Sequence, residues 1–197
     1  MKLVLLADTH VPARARDLPA PVWAAVDDAD IVVHSGDWID VALVEQLQAR
    51  APHLIGCFGN NDGPEIRKLL PEVARADLDG VRTVVVHETG TATNRNQRIS
   101  LRYPDADLVV FGHSHIPWDA TVERPDGGGP VRLLNPGSPT DRRRQPHHTF
   151  MTASITNSHL DDVVLHQLPP HRRPFGDHGP MLYSCSVGPP RWPDRRS

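Results

Sequence analysis

Residues able to bind a cation fall in five short patches: Asp8-Thr9-His10, Gly36-Asp37, Gly59-Asn60-Asn61-Asp62, His87 and Gly112-His113-Ser114-His115. Each offers oxygen or imidazole nitrogen, and all but one close an apolar, β-branched run. A strand that runs straight into a group hard to bury loses stability unless something is bound there. Asp8, His10, Asp37, Asn60, His87, His113 and His115 therefore read as a cage for two metal ions. Oxygen and imidazole without thiolate suit manganese, iron, nickel, zinc or magnesium better than copper or an iron–sulfur centre.

Each patch alone is ordinary. Asp-Thr-His after a strand is commonly a cap and turn, and Gly-Asp and Gly-Asn are common turn dipeptides. A lone His87 would be a hydrogen-bonded core histidine. Their order and their common place at strand ends give the pattern its meaning. Asp8/His10 and His113/His115 are each two residues apart, so on extended backbone each pair points to one side and can grip one ion. Gly36, Gly59 and Gly112 precede candidate ligand positions, where a tight backbone is needed.

These patches need a scaffold that brings strand ends together. Lys2 to Ala7, Asp30 to His34 and His53 to Phe58 read as buried strands. Helices at Pro21 to Asp27 and Asp40 to Arg50 alternate with them, which predicts parallel crossovers and an α/β sheet. Arg82 to His87 and Leu108 to Phe111 are two more buried strands, with a short polar helix between them near Asn94 to Leu101. Trp118 to Arg124 and Val131 to Leu134 form a hairpin about Pro125-Asp126-Gly127-Gly128-Gly129. That glycine run is a turn, because no Lys-Ser/Thr or helix start follows it. Phe150 to Ile155 and Leu160 to His166 make another strand pair. Ligands gather at the carboxyl ends of strands in such sheets, and the candidate residues sit there.

At 197 residues the chain is long enough for one substantial core and short for two domains. A formal charge of −3 gives no overall attraction to nucleic acid or membrane, so a nuclease is disfavoured. Two distant cysteines, Cys57 and Cys185, suggest neither a disulfide framework nor a cysteine zinc site. Cys57 reads as a small buried hydrophobe. With no leader and no run approaching a membrane span, a cytoplasmic location is expected, and a homo-oligomer is allowed. Residues 169–197 hold seven prolines and five arginines against two aspartates, and read as a flexible tail after a domain at 1–168.

The order Asp-x-His, Gly-Asp, Gly-Asn-x-Asp, His, Gly-His-x-His resembles the calcineurin-like metallophosphoesterase family. The close motif spacing and Asn135-Pro136-Gly137-Ser138 after the hairpin are similar to its small prokaryotic phosphodiesterase branch. The resemblance runs from Met1 to about Leu168. It implies a four-layer α-β-β-α sandwich of two mixed sheets. It assigns Asp8, His10, Asp37 and His115 to one metal, with Asp37 bridging to a second completed by Asn60, His87 and His113. Two divalent ions follow, Mn2+ first, with Ni2+, Fe2+, Zn2+ or Mg2+ as alternatives. The implied reaction is phosphodiester hydrolysis by a metal-bridging hydroxide on a small phosphate ester, without a side-chain nucleophile. Asp37, Asn60, Asn61 and His87 would frame that hydroxide and the leaving group.

The same resemblance leaves room for a phosphomonoesterase or protein phosphatase, or for a non-catalytic metal-binding docking scaffold. Complete ligand positions weigh toward catalysis. One departure matters: many family members carry His where this chain has Asn61, and an amide cannot act as an acid near neutral pH. Slow turnover on alkoxide leaving groups, and faster on acidic phenols or nucleotides, is therefore expected. Asp62 is read as holding its loop through backbone hydrogen bonds. His34 is either an outer hydrogen-bond partner or a buried core histidine. Arg142, Arg143 and Arg144 read as a solvated charged loop or a phosphate-steering group. His147 and His148 read as surface or edge residues.

Overall fold

The computed structural model describes residues 1–124 and 127–169. The expected tail from 170 onward, Cys185 within it, and Pro125-Asp126 of the hairpin turn lie outside the described residues.

Among the described residues, ten strands form two five-stranded sheets, accompanied by four helices. The first holds β1 (Lys2–Leu6), β2 (Ile31–Ser35), β3 (His53–Cys57), β9 (His148–Thr156) and β10 (His159–Leu168), in the order β10-β9-β1-β2-β3. The second holds β4 (Val73–Leu78), β5 (Val81–Val86), β6 (Leu108–Phe111), β7 (Trp118–Glu123) and β8 (Pro130–Asn135), in the order β4-β5-β6-β8-β7. Both are mixed. β1, β2 and β3 run parallel, as do β5, β6 and β8, while the outer strands pair antiparallel. Four helices complete the fold: α1 (Ala20–Asp28), α2 (Val41–Arg50), α3 (Pro64–Leu69) and α4 (Arg95–Arg102).

Period-two alternation in β1 explains the layering. Val4 and Leu6 join Val22, Val26, Leu43 and Leu47 of α1 and α2 in an outer core. Leu3 and Leu5 face the other way, meeting Val33, Val85, Val110 and Leu134 between the two sheets. β6 repeats the pattern: Val110 points into the middle, while Val109 and Phe111 pack with Ile99 and Tyr103 beside α4. The result is helix, sheet, sheet, helix, as the sequence resemblance implies. No helix among the described residues is long and apolar enough to cross a membrane.

Two elements escape the sequence pattern, α3 and β4. Edge strand β4 is only partly buried and carries Arg75 and Asp77 among small apolar residues, so it shows no continuous apolar run. α3 is a six-residue helix begun by Pro64, shorter than a periodic pattern can mark. His148, expected at the surface or an edge, is partly buried at the start of β9, which lies between β10 and β1 rather than at the sheet edge. The polar helix is confirmed at Arg95–Arg102.

Candidate metal centre

The carboxyl ends of β1, β2, β3, β5 and β6 open onto one edge shared by both sheets. The loop after β1 carries Asp8 and His10, the loop after β2 Asp37, and the loop after β3 Asn60 and Asn61. β5 delivers His87, and β6 delivers His113 and His115. Asp8, His10, Asp37, His87 and His115 are buried, whereas Asn60 and Asn61 are exposed at the rim.

One expectation about these loops fails. The i, i+2 pairs do not lie on extended backbone: Asp8, His10, His113 and His115 have φ of 53°, 45°, 69° and 57°. Asp37, at φ 62°, is left-handed as well. Left-handed backbone costs a non-glycine residue about 1–2 kcal/mol, so five such residues in one site mark a geometry held by its surroundings. Asp8 N donates to Gly36 O at 3.0 Å and His10 N to Asp37 O at 3.0 Å, tying the loops after β1 and β2 together. His113 and His115 consequently serve different places rather than one.

His115 Nε2 meets His10 Nε2 at 3.2 Å and Asp8 Oδ1 at 3.6 Å. His113 Nδ1 instead meets Asn60 Oδ1 at 2.9 Å, and the same amide oxygen lies 2.8 Å from His87 Nε2. Asp37 spans the two groups, with Oδ2 3.6 Å from His10 Nε2 and Oδ1 3.4 Å from His87 Nε2. Asp8, His10 and His115 form one cluster whose ligand atoms all lie within 4.8 Å, and Asp8, Asp37 and His87 form another.

Proton positions follow from the outer partners. A carbonyl can only accept, so His87 Nδ1–H donates to Ser35 O at 2.8 Å, and His115 Nδ1–H donates to Asp141 O. Each ring then turns an Nε2 lone pair toward other acceptors. Burial lowers the proton affinity of His10 and His87, and takes His115 down to about 4. Asp8 is raised well above the carboxylate range, first by burial and then by Asp37 beside it. Its Oδ2 is buried with no hydrogen-bond partner among the described residues. An orphaned buried carboxylate oxygen among converging imidazoles fits a divalent cation.

The supporting network combines backbone carbonyls with side chains, several of which the sequence already marks. Ser35 O and Asp141 O leave no side-chain signal. Ser138 Oγ donates to Asp8 O at 2.7 Å, and Asn135 Nδ2 to Gly112 O at 3.0 Å, giving the Asn-Pro-Gly-Ser turn a bracing role. Asp62 does hold its loop: its carboxylate accepts from the backbone N–H of Asp37, Trp38, Ile39 and Gly59 at 2.7–3.0 Å. His34 is a buried outer partner, accepting from Gly36 N at 3.2 Å and bonding Thr9 Oγ1 at 3.0 Å. Arg67, unremarked in the sequence, donates to Asp62 O at 2.8 Å and Gly59 O at 2.9 Å. Cys57 is buried, and burial raises its thiol, leaving it inert.

The calcineurin-like phosphoesterase superfamily domain matches residues 1–158. The chain belongs to the calcineurin-like phosphoesterase superfamily. A probable metallophosphoesterase of Methanothermobacter thermautotrophicus is 29% identical over 170 residues, 84% of this chain and 92% of that protein. A phosphodiesterase of Methanocaldococcus jannaschii is 20% identical over 153 residues, 70% of this chain and 83% of its own length. A Thermotoga maritima protein solved by NMR has a TM-score of 0.66 and 25% identity, covering 85% of this chain and 99% of that one. Vps29 of Entamoeba histolytica, complexed with Zn2+, gives 0.67 at 20% identity, over 85% of this chain and 98% of that one. That last likeness is one of fold. Calcineurin-like phosphoesterases are metal-dependent, and the Asp8–Asp37 edge is where this member can meet that requirement.

Proposed function

We propose that this calcineurin-like phosphoesterase hydrolyses phosphodiesters at a centre of two divalent cations, built on residues 1–168. The observation that carries the reading is the placement of Asp37, whose two oxygens face different histidines, His10 and His87. Asp8, His10, Asp37 and His115 would hold one cation, and Asp37, Asn60, His87 and His113 the other. Manganese is the first choice. Bound there, the cations would supply an acidified water as nucleophile and neutralise charge on the phosphoryl oxygens.

This chain's own residues do the rest. Ser35 O and Asp141 O hold the His87 and His115 rings so that Nε2 faces inward. Asn60, at the exposed rim, leaves the approach open to a small substrate. Beside it lies a cavity of about 400 Å³, bordered by Asn60, His87, Phe58, Arg67, Val86 and Arg102, which gives room for one ester substituent. Asn61 offers no proton to a departing group.

The test is a matrix of metal-stripped protein refilled with Mn2+, Ni2+, Mg2+ or Zn2+, assayed on an aryl phosphodiester and an aryl monoester. Metal-restored activity that favours the diester supports the reading. A preference for the monoester would reassign the substrate class. Activity that survives complete metal removal, or persists in Asp37→Ala, would overturn the mechanism.

A further inference from the structure

The loop from Ser138 to Gln145 contains three consecutive arginines, and one of them, Arg143, touches the backbone of a candidate ligand residue. Ser138 Oγ binds Asp8 O, accepts from Asp141 N at 2.8 Å, and so fixes the start of the loop. Thr140 Oγ1 donates to Thr9 O. Asp141 is held from two sides, by His115 Nδ1 on its carbonyl and by Arg14 Nε at 3.4 Å on its carboxylate. Arg143 then takes a left-handed φ of 48°, and its Nη1 reaches His113 O at 3.3 Å. Arg142 turns away, donating to Gln145 O.

No carboxylate among the described residues pairs with Arg143, and its side chain is exposed. A guanidinium carries five N–H donors, of which this contact uses one. A strapped loop, a left-handed residue and an unpaired cation at the mouth of an acidic and imidazole-lined site make a receptor for an anion.

We infer that Arg143 is a substrate-binding residue, donating to the non-bridging oxygens of the phosphate held over the Asp8–Asp37 edge. A planar fork of parallel N–H groups matches two such oxygens, which is the number a phosphodiester offers. Arg142 is engaged instead with Gln145 O. The inference rests on the phosphodiesterase reading above.

The experiment compares wild type with Arg143→Ala, Arg143→Lys, Arg142→Ala and Arg144→Ala, all loaded with Mn2+ under the same conditions, with bound metal counted by elemental analysis. Inorganic phosphate binding is measured by calorimetry, and kcat and KM on an aryl phosphodiester. Arg143→Ala should weaken phosphate binding and raise KM roughly 10- to 100-fold with bound metal unchanged. Arg143→Lys should recover part of the loss, and the two neighbouring variants should stay within about twofold of wild type. Unchanged phosphate binding and KM in Arg143→Ala would overturn the inference. So would loss of bound metal in that variant, which would make Arg143 a brace for His113. Failure of the wild type itself to bind phosphate would instead strike the phosphodiesterase reading, and this inference with it.

Discussion

Asn61 holds Asp37 by both carboxylate oxygens: its backbone N–H donates to Oδ1 at 2.9 Å and its side-chain Nδ2 to Oδ2 at 2.7 Å. The amide is thus turned inward, onto the carboxylate proposed to bridge two cations. At the position where the family resemblance would put a leaving-group acid, this side chain is bonded to Asp37.

The first prediction concerns that exchange of roles. Without an acid, rates should depend steeply on the leaving group, fast for nitrophenol and slow for alkyl alcohols. Asn61→His should raise turnover of a methyl aryl diester's alkyl analogue by roughly 10²-fold or more, the usual worth of general acid catalysis. A linear free-energy plot of rate against leaving-group pKa checks this, and equal slopes for wild type and variant would contradict it. Asn61→Ala should also weaken metal affinity roughly 10- to 100-fold, because it loosens Asp37.

Asp62 gives a prediction about stability. Its carboxylate gathers four backbone N–H groups from the loops after β2 and β3. Asp62→Ala leaves buried donors without acceptors and should cost about 3 kcal/mol. For a chain of this size that corresponds to a melting temperature lower by roughly 6–12 °C. Thermal unfolding of metal-stripped protein separates this from any loss of bound cation.

Gly59 gives a prediction about geometry. A Cβ placed there would sit 2.2 Å from Asp37 Oδ1 and 2.4 Å from Asp37 N. Gly59→Ala must therefore displace the proposed bridging carboxylate. The fold should survive, since the strain is local, while bound metal and turnover fall together. Full metal occupancy in a folded Gly59→Ala variant would contradict the placement of Asp37.

A pH dependence arises away from the site. Arg82 binds the Asp107 carboxylate through its side chain at 2.7 and 2.8 Å and through its backbone, and Arg124 adds a 3.0 Å contact. These bonds, the Arg82 side chain foremost, hold Asp107 well below the usual carboxylate range. Folded protein thus binds the proton more weakly than unfolded chain, so the stabilisation is present above the unfolded value near ~3.9 and is lost as pH falls through the lower folded value. Asp107→Asn should be about 1–2 kcal/mol less stable at neutral pH, allowing for partial exposure. The gap between the denaturant midpoints of the two proteins should begin to narrow below about pH 4 and keep closing as pH falls further.

Much of this architecture could be read from residue order. The apolar runs of β1, β2 and β6 announce strands buried on both faces, because both their odd and even positions meet a core. The ligand-type residues stand out through their order and their shared place at strand ends, since each patch alone is ordinary. What failed was the backbone assumed between them. Nothing in Asp8-Thr9-His10 or His113-Ser114-His115 encodes a left-handed turn, since that conformation is imposed by contacts with Gly36, Asp37 and Asn135 far along the chain. The carbonyls of Ser35 and Asp141, which orient His87 and His115, carry no residue signature at all. Arg143 could be suspected from charge, but its different contact from that of Arg142 needed the course of the loop.

Stoichiometric titration tests the central claim most directly. Metal-stripped protein is titrated with Mn2+ while aryl phosphodiester turnover and bound metal are followed together, for wild type and for Asp37→Asn. Two equivalents bound per chain, with turnover rising only as the second site fills, and a loss of both in the variant, is the predicted result. Full turnover at one equivalent, or in Asp37→Asn, would contradict a two-cation centre bridged by Asp37.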